Sequence, residues 1–216
     1  AGFAGLWLIP RLPAFTEAHP GVDVRISAGN ALADLQRDGV DVAVRYQRTT
    51  AHAAAGATPL FAETVTPVCA PRLLRATPLA VPADLVRTTL LRMEPDPGDP
   101  LQDWGLWLRS TGLADLHPAG VLHFSSYDQL IAAAIAGQGI ALGRLPLVAA
   151  ALRARKLVAP FAERAFATPR GYGLLVAADA AARPEVAAFA AWLRDEARAT
   201  ARPAPAARAA RRRRTP

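Results

Sequence analysis

A short apolar run, Val121–Phe124, ends in two serines, and behind them the hydrophobic pattern changes from strand-like to helical. Tyr127, Leu130, Ile131, Ala134 and Ile135 share one helical face. Ser125 has Asp128 three residues on and Ser126 has Gln129, so either serine can close a capping box at the helix start. Gly137 and Gly139 can supply the positive φ that stops a helix, and Ile140–Leu142 is a short buried strand. A second helical pattern then leads to Lys156-Leu-Val-Ala-Pro-Phe161. Strand, helix and strand in this order predict a crossover with parallel pairing. Ligands of such sheets bind beyond the carboxyl ends of the strands, where helix N-termini present N–H groups to anions. Ser125, Ser126, Gly143 and Arg144 stand at those ends, so the stretch predicts a small-molecule cleft.

The charge of the chain has to be located before it means anything. The formal net charge is +7, with 25 basic and 18 acidic residues. Residues 197–216 hold seven of the arginines and no acid, which leaves 18 bases against 18 acids elsewhere. The body is neutral, and nothing in it calls for a nucleic-acid-binding face. The arginine-rich stretch lacks an apolar stripe and is expected to be a disordered tail. No run of about 18 apolar residues predicts a membrane span, and no charged-then-apolar leader opens the sequence. The single cysteine, Cys69, excludes an intramolecular disulfide and suits a reducing compartment. A cytoplasmic protein without membrane contact is expected.

Around the central stretch, Phe3–Phe15 has helical spacing interrupted by Pro10 and Pro13, and His19-Pro20-Gly21 stops it. Val22–Ile26 alternates and predicts a strand. Ser27–Asn30 predicts a loop, Ala31–Arg37 a short helix and Val40–Arg45 another strand, together a second strand–helix–strand crossover. Gln47–Pro59 has no periodicity and predicts a loop. Glu63–Cys69 is extended, Ala70–Leu74 starts a helix and Thr89–Met93 is a strand. Glu94–Pro100, with three prolines and a glycine, predicts a rigid loop. Leu101–Ser110 is helical, Tyr172–Val176 a strand and Pro184–Arg198 a helix. Two crossovers far apart in sequence imply two α/β lobes, with Thr66-Pro67 and the neighbourhood of Thr168-Pro169 as crossing points.

Trp7–Phe15, His19-Pro20, Asp38–Tyr46, Pro67–Pro71, Pro82–Leu85 and Gly137–Arg144 occur in one order across nearly all of residues 1–196. Together they resemble the effector-sensing domain of LysR-type transcriptional regulators, in the branch of the glycine-cleavage activator and the β-lactamase regulators. The resemblance implies an α/β, two-lobed type II periplasmic-binding-protein-like fold with a ligand cleft between the lobes. Residues 1–66 with 170–196 would form one lobe and 67–169 the other. It also implies a small polar or anionic effector, a homodimer or tetramer, and promoter DNA bound only through an N-terminal winged helix-turn-helix. Neither that module nor the strand that opens such domains lies within residues 1–216, so the first lobe is expected to lack its first strand. A solute-binding protein of a transport system shares the fold class and is the alternative.

No enzyme constellation is present, and no cofactor is implied. His19, His52, His117 and His123 are scattered and no cysteine pair exists, so no metal site is expected. Cys69 reads as a small buried residue. The candidate effector-binding residues are Ser27 and Asn30 in a strand-to-helix loop, Arg45 and Tyr46 at a strand end, Thr66 at a crossing point, and Ser125, Ser126, Gly143 and Arg144. Each also has a bland reading. Ser27 and Asn30 could cap the next helix, Arg45 and Tyr46 could be a solvated strand end, and Arg144 could make an inter-lobe salt bridge.

Overall fold

Two long strands, β2 (Thr58–Val68) and β6 (Phe166–Val176), each of 11 residues, carry the sheet in a computed structural model that describes residues 1–29, 34–94 and 104–201. They pair antiparallel along Thr58–Val65 of β2. At Val65, β2 changes partner and continues antiparallel to β5 (Ile140–Arg144) through Val68. On the far side of β6 lies β1 (Val42–Arg48), again antiparallel. On the far side of β5 lie β3 (Thr89–Met93) and then β4 (Gly120–Phe124), both running parallel to their neighbours. The result is a six-stranded mixed sheet in the order β1-β6-β2-β5-β3-β4. β2 is the only strand in it that pairs with both β6 and β5.

The helices begin where the sequence allows. An opening π-helical segment (Ala4–Leu8) gives way at Pro10, and α1 (Leu12–Ala18) restarts with Pro13 in its first turn, where a missing N–H costs nothing. Three short helices follow: α2 (Thr49–Ala54), α3 (Pro71–Ala76), and α4 (Trp104–Ser110) beyond a 3₁₀ turn at Pro82–Arg87. The crossover helix α5 (Tyr127–Ile135) ends at Gly137, whose φ is +70°. Gly139 is needed for a different reason, since a Cβ there would stand 2.4 Å from the carbonyl oxygen of Thr89. Next come α6 (Leu145–Arg153) and α7 (Pro184–Ala201), which runs past Arg198 into the residues expected to begin the tail. The rest of that tail, 202–216, lies outside the described residues.

Two apolar clusters fill the space on the sheet. One gathers Trp7, Tyr127, Ile131, Leu147, Tyr172 and Leu193, so α5, α6 and α7 share it with the opening segment. The other is built on Trp104, Trp107, Leu85, Leu90, Ile140 and Phe161. Both tryptophans are fully buried and both indole N–H groups are satisfied, Trp104 donating to Leu91 O at 3.0 Å and Trp107 to Arg164 O at 2.9 Å. Cys69 is buried, and burial pushes its thiol up to about 11, so it is a packing residue and not a nucleophile.

Five expectations are corrected. Val22–Ile26 is not a strand; the alternation gives it two faces, but among the described residues it has no ladder partner. The second crossover therefore does not form, and β1 enters the sheet antiparallel. Of the helix expected over Ala31–Arg37, residues 35–37 form turns and 31–33 lie outside the described residues. Gln47–Pro59 is not a loop: β1 extends to Arg48, α2 follows, and β2 begins at Thr58. Its threonines, alanines and single histidine make a helix with no apolar stripe to betray it. The parallel relation of β4 and β5 is as expected, but they are not neighbours, because β3 lies between them.

Candidate functional site: a buried arginine at the β2 partner change

The side chain of Glu63 is the starting point. It sits in β2 where the register against β6 shifts, between Ala62 and Thr64. Such irregularities re-aim side chains and gather near functional sites. Here the carboxylate is turned inward and is only 2% exposed. Its Oε1 accepts two hydrogen bonds, from the Tyr46 hydroxyl and from Thr168 Oγ1, each at 2.9 Å. Its Oε2 faces Arg144 Nε at 3.3 Å and accepts no directed hydrogen bond.

Arg144 ends β5 and is the residue before α6. Its guanidinium, 13% exposed, lies between two tyrosine rings, 4.3 Å from the centroid of Tyr46 and 4.3 Å from that of Tyr127. Tyr127 also fixes the backbone, its hydroxyl donating to Leu142 O at 3.1 Å and accepting from the Arg144 N–H at 2.7 Å. Arg170 lies on the outer side of Tyr46, 5.0 Å from its ring. Tyr172, opposite Tyr46 in the ladder, brings its ring to 5.0 Å from that of Tyr46, and its buried hydroxyl faces Arg144.

The electrostatics follow from this enclosure. Burial alone would lower the Arg144 pKa, but its surroundings outweigh it, Glu63 being the partner that is charged at neutral pH, and the guanidinium is held firmly charged. Burial raises the hydroxyls of Tyr46 and Tyr127, with Arg144 opposing, and it pushes Tyr172 up to about 12. All three are neutral donors at physiological pH. Beside them is a recess lined by Tyr46, Glu63, Met93, Tyr127, Arg144 and Arg170, with Thr168 at its wall. Measured as room for the centre of a water molecule it holds about 20 Å³, enough for one water and too little for a metabolite while Arg144 stays where it is.

Of the residues proposed from sequence, Tyr46 and Arg144 meet in this cluster. Gly143 adjoins it and is a close-approach position, since a Cβ would stand 2.7 Å from Val68 Cγ1. Ser126 precedes Tyr127, but the capping box does not form; its hydroxyl bonds Asp128 instead. Ser125 is exposed beside it. Thr66 is 1% exposed and donates to Phe161 O at 3.1 Å. Arg45 follows the strand alternation away from Tyr46, and Ser27 is exposed in the irregular segment before residue 30. Asn30 lies outside the described residues. Sequence reasoning missed Glu63, Tyr127, Thr168, Arg170 and Tyr172 as site residues. Glu63 carried a signal: it is the one charged residue in the extended run from Leu60 to Val68. Among the described residues, no group of three His, Cys, Asp or Glu could hold a metal ion, and no helix is long and apolar enough to cross a membrane.

Residues 1–198 match the LysR substrate binding domain family. The glycine cleavage system transcriptional activator of Escherichia coli K12 is 35% identical over 192 residues, covering 88% of this chain and 61% of its own length. The transcriptional activator AmpR of Pseudomonas aeruginosa is 33% identical over 200 residues, 91% of this chain and 63% of its own. The chain thus spans about three-fifths of the length of these relatives. In solved structures it is similar to the effector domain of the Pseudomonas aeruginosa AmpR, with a TM-score of 0.72, 30% identity and 92% of both chains covered. The effector-binding domain from Citrobacter freundii gives a TM-score of 0.70 at 26% identity, covering 92% of this chain and 95% of that one. The two-lobed, periplasmic-binding-protein-like fold of these domains is the fold of this chain. With a match that runs from its first residue to residue 198, the chain belongs to the LysR substrate-binding domain family.

Proposed function

We propose that the chain is the effector-sensing and oligomerisation region of a LysR-type transcriptional regulator acting in the cytoplasm. It binds a small polar or anionic molecule between lobes formed by residues 1–66 with 170–196 and by 67–169. Binding changes the angle between the lobes and so re-spaces DNA-binding modules in a dimer or tetramer, with promoter DNA held through an N-terminal winged helix-turn-helix. The observation that carries this reading is the coincidence of the family match with a buried polar cluster drawn from both sides of the β2 partner change: Tyr46 and Tyr172 from one side, Tyr127 and Arg144 from the other. The partner change at Val65 also supports Thr66-Pro67 as a crossing point. The chain is read as a binding module and not a catalyst, in keeping with relatives that are transcriptional activators. The same relatives weigh against a transport solute-binding protein.

The test is a thermal-shift screen of the 216-residue chain against amino acids, dipeptides and organic acids, followed by calorimetric titration of each hit. At least one compound should bind saturably, and Arg144→Ala should weaken it by at least roughly ten- to a hundredfold, the loss of one hydrogen bond to a charged group. A chain that binds none of the panel would contradict the effector reading. Hits indifferent to Arg144→Ala would move the ligand away from the recess.

A further inference from the structure

We infer that the Glu63 carboxylate is a built-in stand-in for the ligand's own carboxylate, and that Arg144 exchanges one for the other when an effector enters. The inference rests on the recess being the effector site and names what that site reads: a carboxylate-bearing small molecule.

The contacts in the cluster differ in quality. Glu63 is held tightly through Oε1, by two hydroxyl hydrogen bonds of 2.9 Å, and loosely through Oε2, which reaches Arg144 only as a 3.3 Å ion pair. A charge-assisted N–H···O bond is normally about 2.7–2.9 Å long, so the link between acid and base is the slackest in the cluster. Glu63 keeps its two hydroxyl donors if Arg144 leaves. Arg144 in turn keeps two aromatic faces, which select a cation but not a direction for its N–H groups. A ligand carboxylate offers what Glu63 does not, a directed or bidentate partner for the guanidinium.

Space and charge agree with this. The recess admits one water while Arg144 fills it, so a ligand needs the guanidinium to turn aside, and turning it frees volume next to Tyr127 and Met93. Arg144 carries a full positive charge, so the group that takes the place of Glu63 beside it is an anion. The buried Tyr172 hydroxyl, facing Arg144, adds a neutral polar group beside the cluster.

The exchange also reaches the fold. Arg144 joins β5 to α6, its N–H is bonded to Tyr127 at the start of α5, and its present anion is on β2. Changing its partner from Glu63 to a ligand releases a contact between β2 and the α5–α6 side. Ligand binding is thereby converted into a change across the strand that both halves of the sheet share.

The test uses the full 216-residue chain and four probes: acetate and succinate, with acetamide and succinamide as neutral matches. Binding is read by the ¹⁵Nε–H resonance of Arg144 and by calorimetric titration, on wild type, Glu63→Gln, Arg144→Lys and Arg144→Ala. In wild type the carboxylates should shift the Arg144 resonance and the amides should not. Glu63→Gln removes the competing charge and should tighten carboxylate binding roughly ten- to a hundredfold, and Arg144→Ala should abolish it. Arg144→Lys, which keeps the charge and loses the fork, should leave weak binding. Carboxylates that bind Arg144→Ala as well as wild type would overturn the inference. So would amides that bind as well as the acids, which would leave a recess that binds ligand but does not read charge. Binding of neither class to wild type or Glu63→Gln, with the Arg144 resonance unmoved, would overturn the placement of the effector site along with the inference. If Glu63→Gln does not fold, the wild-type resonance decides alone.

Discussion

Two pairs of opposite charge in this molecule look alike on paper and differ in everything that matters. On α7, Arg198 contacts Asp195 with side chains 74% and 66% exposed. At the β2 partner change, Arg144 faces Glu63 with side chains 13% and 2% exposed. The first pair sits in water, gains little Coulomb energy and loses side-chain entropy. The second has given up its hydration, and a buried pair of this kind contributes no more stability than well-packed apolar side chains would. Stability is thus a poor reason to keep charge at the partner change. The exchange proposed for Arg144 is a better one.

The comparison breaks most directly at Glu63. Glu63→Ala leaves a buried guanidinium without its anion and two hydroxyls without their acceptor, and should cost about 3–5 kcal/mol in urea denaturation. A cost below ~1 kcal/mol would mean that the cluster is solvated and the contrast false. Gly143→Ala should rank next, at about 1–3 kcal/mol, because the new methyl is driven into Val68 across the β2–β5 ladder. An unchanged midpoint there would show that the two strands have slack.

Alkaline titration sharpens the contrast from another side. Burial raises the Tyr172 hydroxyl to about 12 against an ordinary value of about 10, so the folded chain holds this proton more tightly than the unfolded one. The corresponding stability is fully present below pH ~10 and is lost as pH rises from there through 12. Tyr172→Phe should shrink that loss, and an identical alkaline profile in the variant would contradict the buried placement of the hydroxyl. The smallest effect belongs to the exposed pair. Asp195→Ala should stay within ~0.5 kcal/mol of wild type.

Much of the architecture was readable in the sequence, for physical reasons that differ by element. β3, β4 and β5 lie in the part of the sheet with parallel pairing, and Leu90-Leu91, Val121-Leu122 and Ile140–Leu142 read as short apolar runs. α5 and α7 carry apolar stripes at helical spacing. Val22–Ile26 misled because alternation specifies faces, while a strand also needs a ladder, and pairing is a long-range fact. α2 escaped because threonine and alanine leave no stripe. At the site, Arg144 and Tyr46 could be proposed because the sequence pattern put both at strand ends, which holds for Arg144 but not for Tyr46, since β1 continues to Arg48. Glu63 could not be joined to them, since what makes it part of the cluster is a register shift in β2 and hydroxyls from Tyr46 and Thr168, none of which leaves a local pattern.

What remains decisive is whether Glu63 and Arg144 act as one buried unit. A double-mutant cycle of Glu63→Ala, Arg144→Ala and the double variant, in urea at pH 7, measures their coupling without reference to any ligand. The account predicts a coupling of about 1.5–3 kcal/mol, with the double variant more stable than Glu63→Ala alone. A coupling below ~0.5 kcal/mol, no larger than expected for an exposed pair such as Arg198–Asp195, would contradict it.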